Sequence, residues 1–152
     1  MMSRRRYPET PIPSIAAVVV GPKGILLKRR DKPPYKGLWN ILSGVIKTGE
    51  TQEEAVVREV REETGLNADV IRFLDTSDVI TTDSDGKVEY HFMVNVYLLR
   101  VSSDSGHLVD GTAGIRWFHP ESIPAEDMPG DVSRALQAIK EQLLQVMQNT
   151  RM

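Results

Sequence analysis

A chain of 152 residues, 40% hydrophobic and 26% charged, can bury one core and lacks the bias of a disordered or fibrous protein. Its formal net charge of -2, with a pI of about 5.9, argues against bulk electrostatic binding to nucleic acid and leaves only a local basic patch open. The absence of cysteine excludes disulfides, zinc thiolates and cysteine nucleophiles, and is compatible with the cytoplasm.

Arg4-Arg5-Arg6 is followed by no apolar run of signal length, so neither a signal peptide nor a membrane span is expected. Residues 1–13 are expected to form a flexible, solvated segment ahead of a single domain over residues 14–149. Ile15 to Val20 reads as a buried strand, and Gly21-Pro22-Lys23-Gly24 turns it into a second strand, Ile25 to Lys28. Asp31 to Gly37 is a loop, and Trp39 to Leu42 a brief strand. Thr51 to Thr64 reads as a helix: Thr51 and Glu54 have capping-box spacing, and Gly65 stands at the stop position. Val70 to Leu74 is a strand, and residues 83–86 a turn. Val88, Tyr90, Phe92, Val94, Val96 and Leu98 alternate as in a half-buried strand. A loop over Ser102 to Gly106 and a last strand, Ile115 to Phe118, follow. Val132, Leu136, Ile139, Leu143 and Val146 recur at helical spacing and define a C-terminal amphipathic helix that packs on the sheet or docks a partner subunit. Short strands with two separated helices indicate an α+β or mixed α/β domain.

The chemistry-bearing residues concentrate between Gly44 and Leu66. Glu59, Glu62 and Glu63 stand at i, i+3 and i+4, on one helix face. Like charges at that spacing repel, and a divalent cation relieves the conflict; hard oxygen ligands suit Mg2+, with Mn2+ as the alternative. The competing reading is a solvated acidic face with arginine partners, such as the i,i+4 pair Arg58 and Glu62. Ahead of the helix, residues 43–50 form a loop with two glycines, which lets backbone approach a bound group or simply makes a turn.

Taken together, Gly44, Glu50, Arg58, Glu59, Val60, Glu62, Glu63, Gly65 and Leu66 fill every fixed position of the pattern G-x5-E-x7-R-E-U-x-E-E-x-G-U, where U is bulky and aliphatic. The chain thus resembles the Nudix hydrolases, over roughly residues 14 to 147. Residues 25–30 and 36–39 are similar to the usual lead-in, and Arg116-Trp117-Phe118 to the usual exit. The resemblance implies an α/β/α sandwich with a mixed sheet between helices. It implies divalent-metal-dependent cleavage of a nucleoside diphosphate-linked substrate by water attack on phosphorus. By position, Glu59, Glu62 and Glu63 would be metal ligands, with the Gly44 carbonyl as a further one. Arg58 would orient Glu59, and Glu50 would support the loop. The catalytic base would be Glu59 or a carboxylate outside the Gly44–Leu66 pattern, the Nudix box.

Outside the box, Asp110 is the first candidate for an additional metal-binding carboxylate and Glu89 the second, each against a plain surface role. Arg29 or Arg30, only one of which faces inward on a strand, is a candidate phosphate clamp. Trp39 either stacks on a base or belongs to the core. One departure from the family pattern precedes the box, where Leu42-Ser43-Gly44 replaces Pro-Gly-Gly. Two substrate classes stay open, a MutT-type nucleoside triphosphate and ADP-ribose or a similar nucleotide. The alternative from another class is a nucleotide-sensing module without turnover. A homodimer is compatible with these features; a membrane or nucleic-acid partner is not indicated.

Overall fold

The computed structural model describes residues 5–102, 108 and 114–150. Among the described residues, seven strands form one mixed sheet: β1 (Ile12–Gly21), β2 (Gly24–Arg29), β3 (Trp39–Asn40), β4 (Leu42–Val45), β5 (Ala68–Thr82), β6 (Val88–Val101) and β7 (Ile115–Phe118). The order β3-β2-β1-β6-β5 runs through the centre; β4 also pairs with β1, and β7 with β2. Parallel pairing joins β1 to β6, and every other ladder is antiparallel. β1 is buried from Ser14 to Gly21 because it lies inside the sheet with helices packed on either face.

Strand alternation sorts the core into two layers. Ile15, Ala17 and Val19 of β1, with Tyr97 and Leu99 of β6, meet Ala55, Val56 and Val60 of α1 (Gln52–Thr64). Val18, Val20 and Leu98 point the other way, toward Leu136 of α2 (Gly130–Ala138) and Leu143 and Met147 of α3 (Lys140–Asn149). The result is the expected three-layer arrangement, helices on both faces of a mixed sheet.

α1 starts and stops where its capping chemistry requires. The Thr51 hydroxyl accepts from the Glu54 N–H at 3.1 Å, and the Glu54 carboxylate accepts from the Thr51 N–H at 2.9 Å. Gly65 takes the left-handed conformation, φ 77°, and its N–H closes on the Arg61 carbonyl at 2.8 Å.

Three elements depart from the sequence reading. The single short strand expected at Trp39 to Leu42 is two: β3 pairs with β2 and β4 with β1, the switch falling at Ile41. β5 runs for fifteen residues instead of five, since its outer half pairs with β6 while staying largely exposed, and bulges near Ile71 and Leu74 break the alternation that a reader would count. The C-terminal helix divides at Ile139 (φ −108°, ψ 18°) into α2 and α3, with Leu136 and Leu143 both still in the core. Of the expected loop at 102–106, residues 103–106 lie outside the described residues.

Candidate active site

α1 presents its acidic face beside the loop that leaves β4. Arg58 organises that corner. Its guanidinium donates from Nε and Nη2 to the two Glu50 carboxylate oxygens, the second bond at 2.9 Å. Nη2 also reaches the Val45 carbonyl at 3.2 Å, and Nη1 reaches Glu59 at 3.0 Å and Glu62 at 3.2 Å. One planar cation thereby joins the end of β4, the loop and two carboxylates of α1, a geometry suited to arginine and not to lysine. Glu50 in turn accepts from the Lys47 N–H at 2.9 Å. These bonds, the arginine first, lower the Glu50 pKa to about 2, while Glu50 first, and Glu59 with it, raise that of Arg58.

Glu63 is set deeper. Burial, only partly offset by the Lys28 ammonium at 3.3 Å, pushes its pKa up, and Glu59 adds to the rise. Lys47 approaches Glu62 at 3.8 Å. Each box glutamate on the face therefore has a cationic neighbour. The expected Arg58–Glu62 pairing is present, and like-charge repulsion is compensated by Arg58, Lys28 and Lys47. Among the described residues, no three acidic or imidazole side chains converge into a preformed metal cage. The donor set itself is that of a hard divalent ion, three carboxylates on one exposed-to-half-buried face. Ligation by these carboxylates would exchange some of the lysine and arginine contacts for metal–oxygen bonds.

Gly44 links this face to a cavity of about 180 Å³. A methyl group added at Gly44 would overlap the Glu59 carboxylate, so glycine here lets that carboxylate lie directly against β4. Gly44 also lines the cavity, with Ser14 and Ala16 of β1, Phe92, Val94 and Val96 of β6, and Ser77 and Val79 of β5. This is the sheet face that Val18 and Leu98 share with α2 and α3, where the helices leave it uncovered. Asn40, Ile41, Arg30 and Tyr35 form one rim, and Asp131 and Val132 at the start of α2 another part.

The residues expected outside the box are distributed unevenly. Arg30 lines the cavity, donates to the Pro34 carbonyl at 2.7 Å, and acts electrostatically on Glu63. It thus stands between the cavity and the acidic face. Arg29 is turned away, over the Trp39 ring at 5.2 Å. Trp39 is 7% exposed, packs edge-on against Phe118 with ring centroids 5.0 Å apart, and belongs to the core without lining the cavity. Glu89 forms an ion pair with Arg6 at 2.7 Å. It lies six residues before Asn95, which is level with Ile15 and, through Ile15, with Gly44. At strand rise that is about 20 Å along the sheet, so Glu89 is not brought to the box glutamates. Asp110 lies outside the described residues.

Lys28, Lys47 and Gln52 were not singled out from sequence. Lys28 could have been found by parity, because it shares the strand face of Leu26, which packs against α1. Gln52 opens α1 and accepts from Asn95 at 2.6 Å and from the Tyr97 hydroxyl at 2.9 Å, tying the start of the helix to β6. Nothing in the spacing of these three residues announces that contact.

The model of the NUDIX domain family matches residues 10–139. The chain belongs to the Nudix family. It is 31% identical over 114 residues to an ADP-ribose pyrophosphatase of Methanocaldococcus jannaschii, covering 75% of this chain and 65% of that one. It is 30% identical over 120 residues to an oxidized purine nucleoside triphosphate hydrolase of Danio rerio, covering 75% and 70%. Of two further Nudix-family relatives it spans only 22% and 46% of the length. The crystal structure of a MutT protein from Methanosarcina mazei superimposes with a TM-score of 0.66 over 88% of this chain and 96% of that one, at 24% identity, a likeness of fold. Among the described residues no helix is long and apolar enough to cross a membrane.

Proposed function

We propose that this Nudix chain is a Mg2+-dependent pyrophosphohydrolase of nucleotide derivatives, with the nucleoside in the cavity and the diphosphate over Gly44. The observation that carries this reading is the position of Gly44, which has the cavity on one side and Glu59 on the other. A nucleotide lying along the cavity would bring its phosphates to the acidic face and past Arg30.

Glu59, Glu62 and Glu63 would hold the metal, with the Gly44 carbonyl as a further donor. When bound, Mg2+ supplies charge neutralisation at the phosphate oxygens and acidifies a water. Arg58 keeps Glu59 and Glu62 oriented and anchors them to the loop through Glu50. Arg30 offers the diphosphate a second, metal-independent cation. Water oxygen bonds to phosphorus, the bridging phosphorus–oxygen bond breaks, and the departing phosphate carries away the electron pair. Glu59 is the candidate base that takes the water proton. The relatives' names favour either ADP-ribose or a purine nucleoside triphosphate as substrate; an apolar sheet face under the cavity is suited in character to the nucleoside of either. We further assign the enzyme to the cytoplasm.

The deciding measurement is turnover of ADP-ribose, dinucleotides and nucleoside triphosphates with Mg2+, with and without excess chelator. Turnover abolished by chelator and by Glu62→Gln/Glu63→Gln is the expected result. Undiminished turnover in that double variant refutes the metal assignment. Binding without turnover of any compound transfers the chain to the nucleotide-sensing class.

A further inference from the structure

The segment ahead of β1 is fastened at several points to the β5–β6 hairpin. The Tyr7 N–H donates to the Glu89 carbonyl at 2.7 Å, and its hydroxyl to the Asp83 carboxylate at 2.8 Å. Arg6 pairs with Glu89 at 2.7 Å, and the Lys87 ammonium stands 4.9 Å from the centre of the Tyr7 ring. The Tyr7 backbone is left-handed (φ 55°), which a tyrosine holds only where its surroundings enforce it. Two residues before this anchor, Arg5 lines the cavity.

The anchor fixes which end of the cavity Arg5 occupies. Tyr7 is bonded to Glu89, beyond the start of β1, whereas Gly44 is level with Asn95. Along β6 the cavity floor runs from Phe92 to Val96, four residues or about 13 Å. Arg5, within about 7 Å of chain from Tyr7, enters from the Phe92 end. Arg30 lies by the Glu63 end. Between them the floor is apolar: Val79, Phe92, Val94 and Val96. Among the described residues, no carboxylate lies within ion-pair distance of Arg5, whose guanidinium carries five donors.

We propose that the segment before β1 is part of the substrate site and that Arg5 is a specificity-determining residue, reading paired hydrogen-bond acceptors at the end of the substrate remote from the diphosphate. The proposal rests on the placement of the nucleotide given above. A guanidinium has donors only. It suits two adjacent acceptors, such as the O6/N7 edge of guanine or the oxygens of a second phosphate on the ribose. It is mismatched to the corresponding edge of adenine, where a donor amino group stands beside N7.

The test is calorimetric binding of GMP, AMP and adenosine 2′,5′-bisphosphate to the full chain, to Arg5→Ala and to Tyr7→Phe. These ligands need no turnover, so the result stands whether or not the chain is a hydrolase. GMP tighter than AMP assigns the base edge; the bisphosphate tighter than AMP assigns a ribose phosphate. In either case Arg5→Ala loses the preference, about tenfold to a hundredfold, and Tyr7→Phe loses part of it. With a substrate of the preferred class, Arg5→Ala raises KM far more than it lowers kcat, at unchanged melting temperature. No preference over AMP in the wild type, or a preference that survives Arg5→Ala, overturns the proposal.

Discussion

The box corner and the cavity meet at Gly44 but are built differently. Apart from Lys28 of β2, the corner uses one stretch of 23 residues, Gly44 to Leu66, and is held by directional bonds: a capping box, a bidentate arginine and paired carboxylates. The cavity draws on β1, β4, β5, β6, the β2–β3 loop, the start of α2 and the segment before β1, and its floor is apolar. The difference teaches where precision is needed. Ligand carboxylates must be oriented to fractions of an ångström, which hydrogen bonds do; a nucleoside needs shape and exclusion of water, which a sheet face provides.

If the corner carries the chemistry, Glu59→Gln should lower kcat by about a hundredfold to a thousandfold while the protein stays folded, checked by steady-state kinetics and circular dichroism. Arg58→Ala should lower activity by roughly tenfold to a hundredfold, because Glu59, Glu62 and Glu50 lose a shared partner. Arg58→Lys should rescue little of it, since one ammonium cannot span three carboxylates. Gly44→Ala sharpens the contrast from the other side. The added methyl must displace Glu59 or β4, at a cost of about 1–3 kcal/mol in unfolding free energy, and activity should fall with it.

If the cavity only positions the nucleoside, Val94→Arg should raise KM by about tenfold and leave kcat nearly intact, because it puts a charge on the apolar floor and touches no box residue. A substitution there that lowered kcat alone would erase the distinction between the two regions.

The smallest expected effect is on pH dependence. The Glu50 carboxyl is lowered from 4.5 to about 2 by Arg58 and the Lys47 N–H. Its folded-state value lies below the unfolded one, so its contribution to stability is complete above about pH 4.5 and is lost as pH falls toward 2. Glu50→Gln should flatten the acid limb of the stability profile in that window. Glu63 acts in the opposite sense: burial raises its pKa, so ionising it with rising pH costs stability.

The legible parts share a property. α1, its cap and the acidic face follow from contacts three or four residues apart, so spacing alone announces them. β7, Ile115–Phe118, and the β1–β2 hairpin were equally readable, being apolar runs bounded by turns. The outer portion of β5 is hidden in the sequence because its half-buried positions, Ser77, Val79 and Thr81, include only one apolar residue, so the alternation of burial leaves no alternation of hydrophobicity. Strand alternation lets only one of Arg29 and Arg30 face inward, and only the folded chain puts Arg30 on the cavity lining and Arg29 over Trp39. Trp39 had two readings of equal weight until Phe118, 79 positions away, closed over it. Glu89, the second-choice carboxylate, turned out to belong to the hairpin tip and to Arg6.

By itself, then, the sequence determined the charged corner of this protein: which glutamates share a face, which arginine stands among them and where the helix begins and ends. Local geometry is set by helical period and capping, and these need no distant partner. Only the tertiary structure decided what lies opposite that corner. The parallel pairing of β1 with β6, across 80 positions of sequence between Ile12 and Phe92, brings the cavity floor level with Gly44. A contact of that span leaves no periodic trace, because its register is set by the packing of both sheet faces at once.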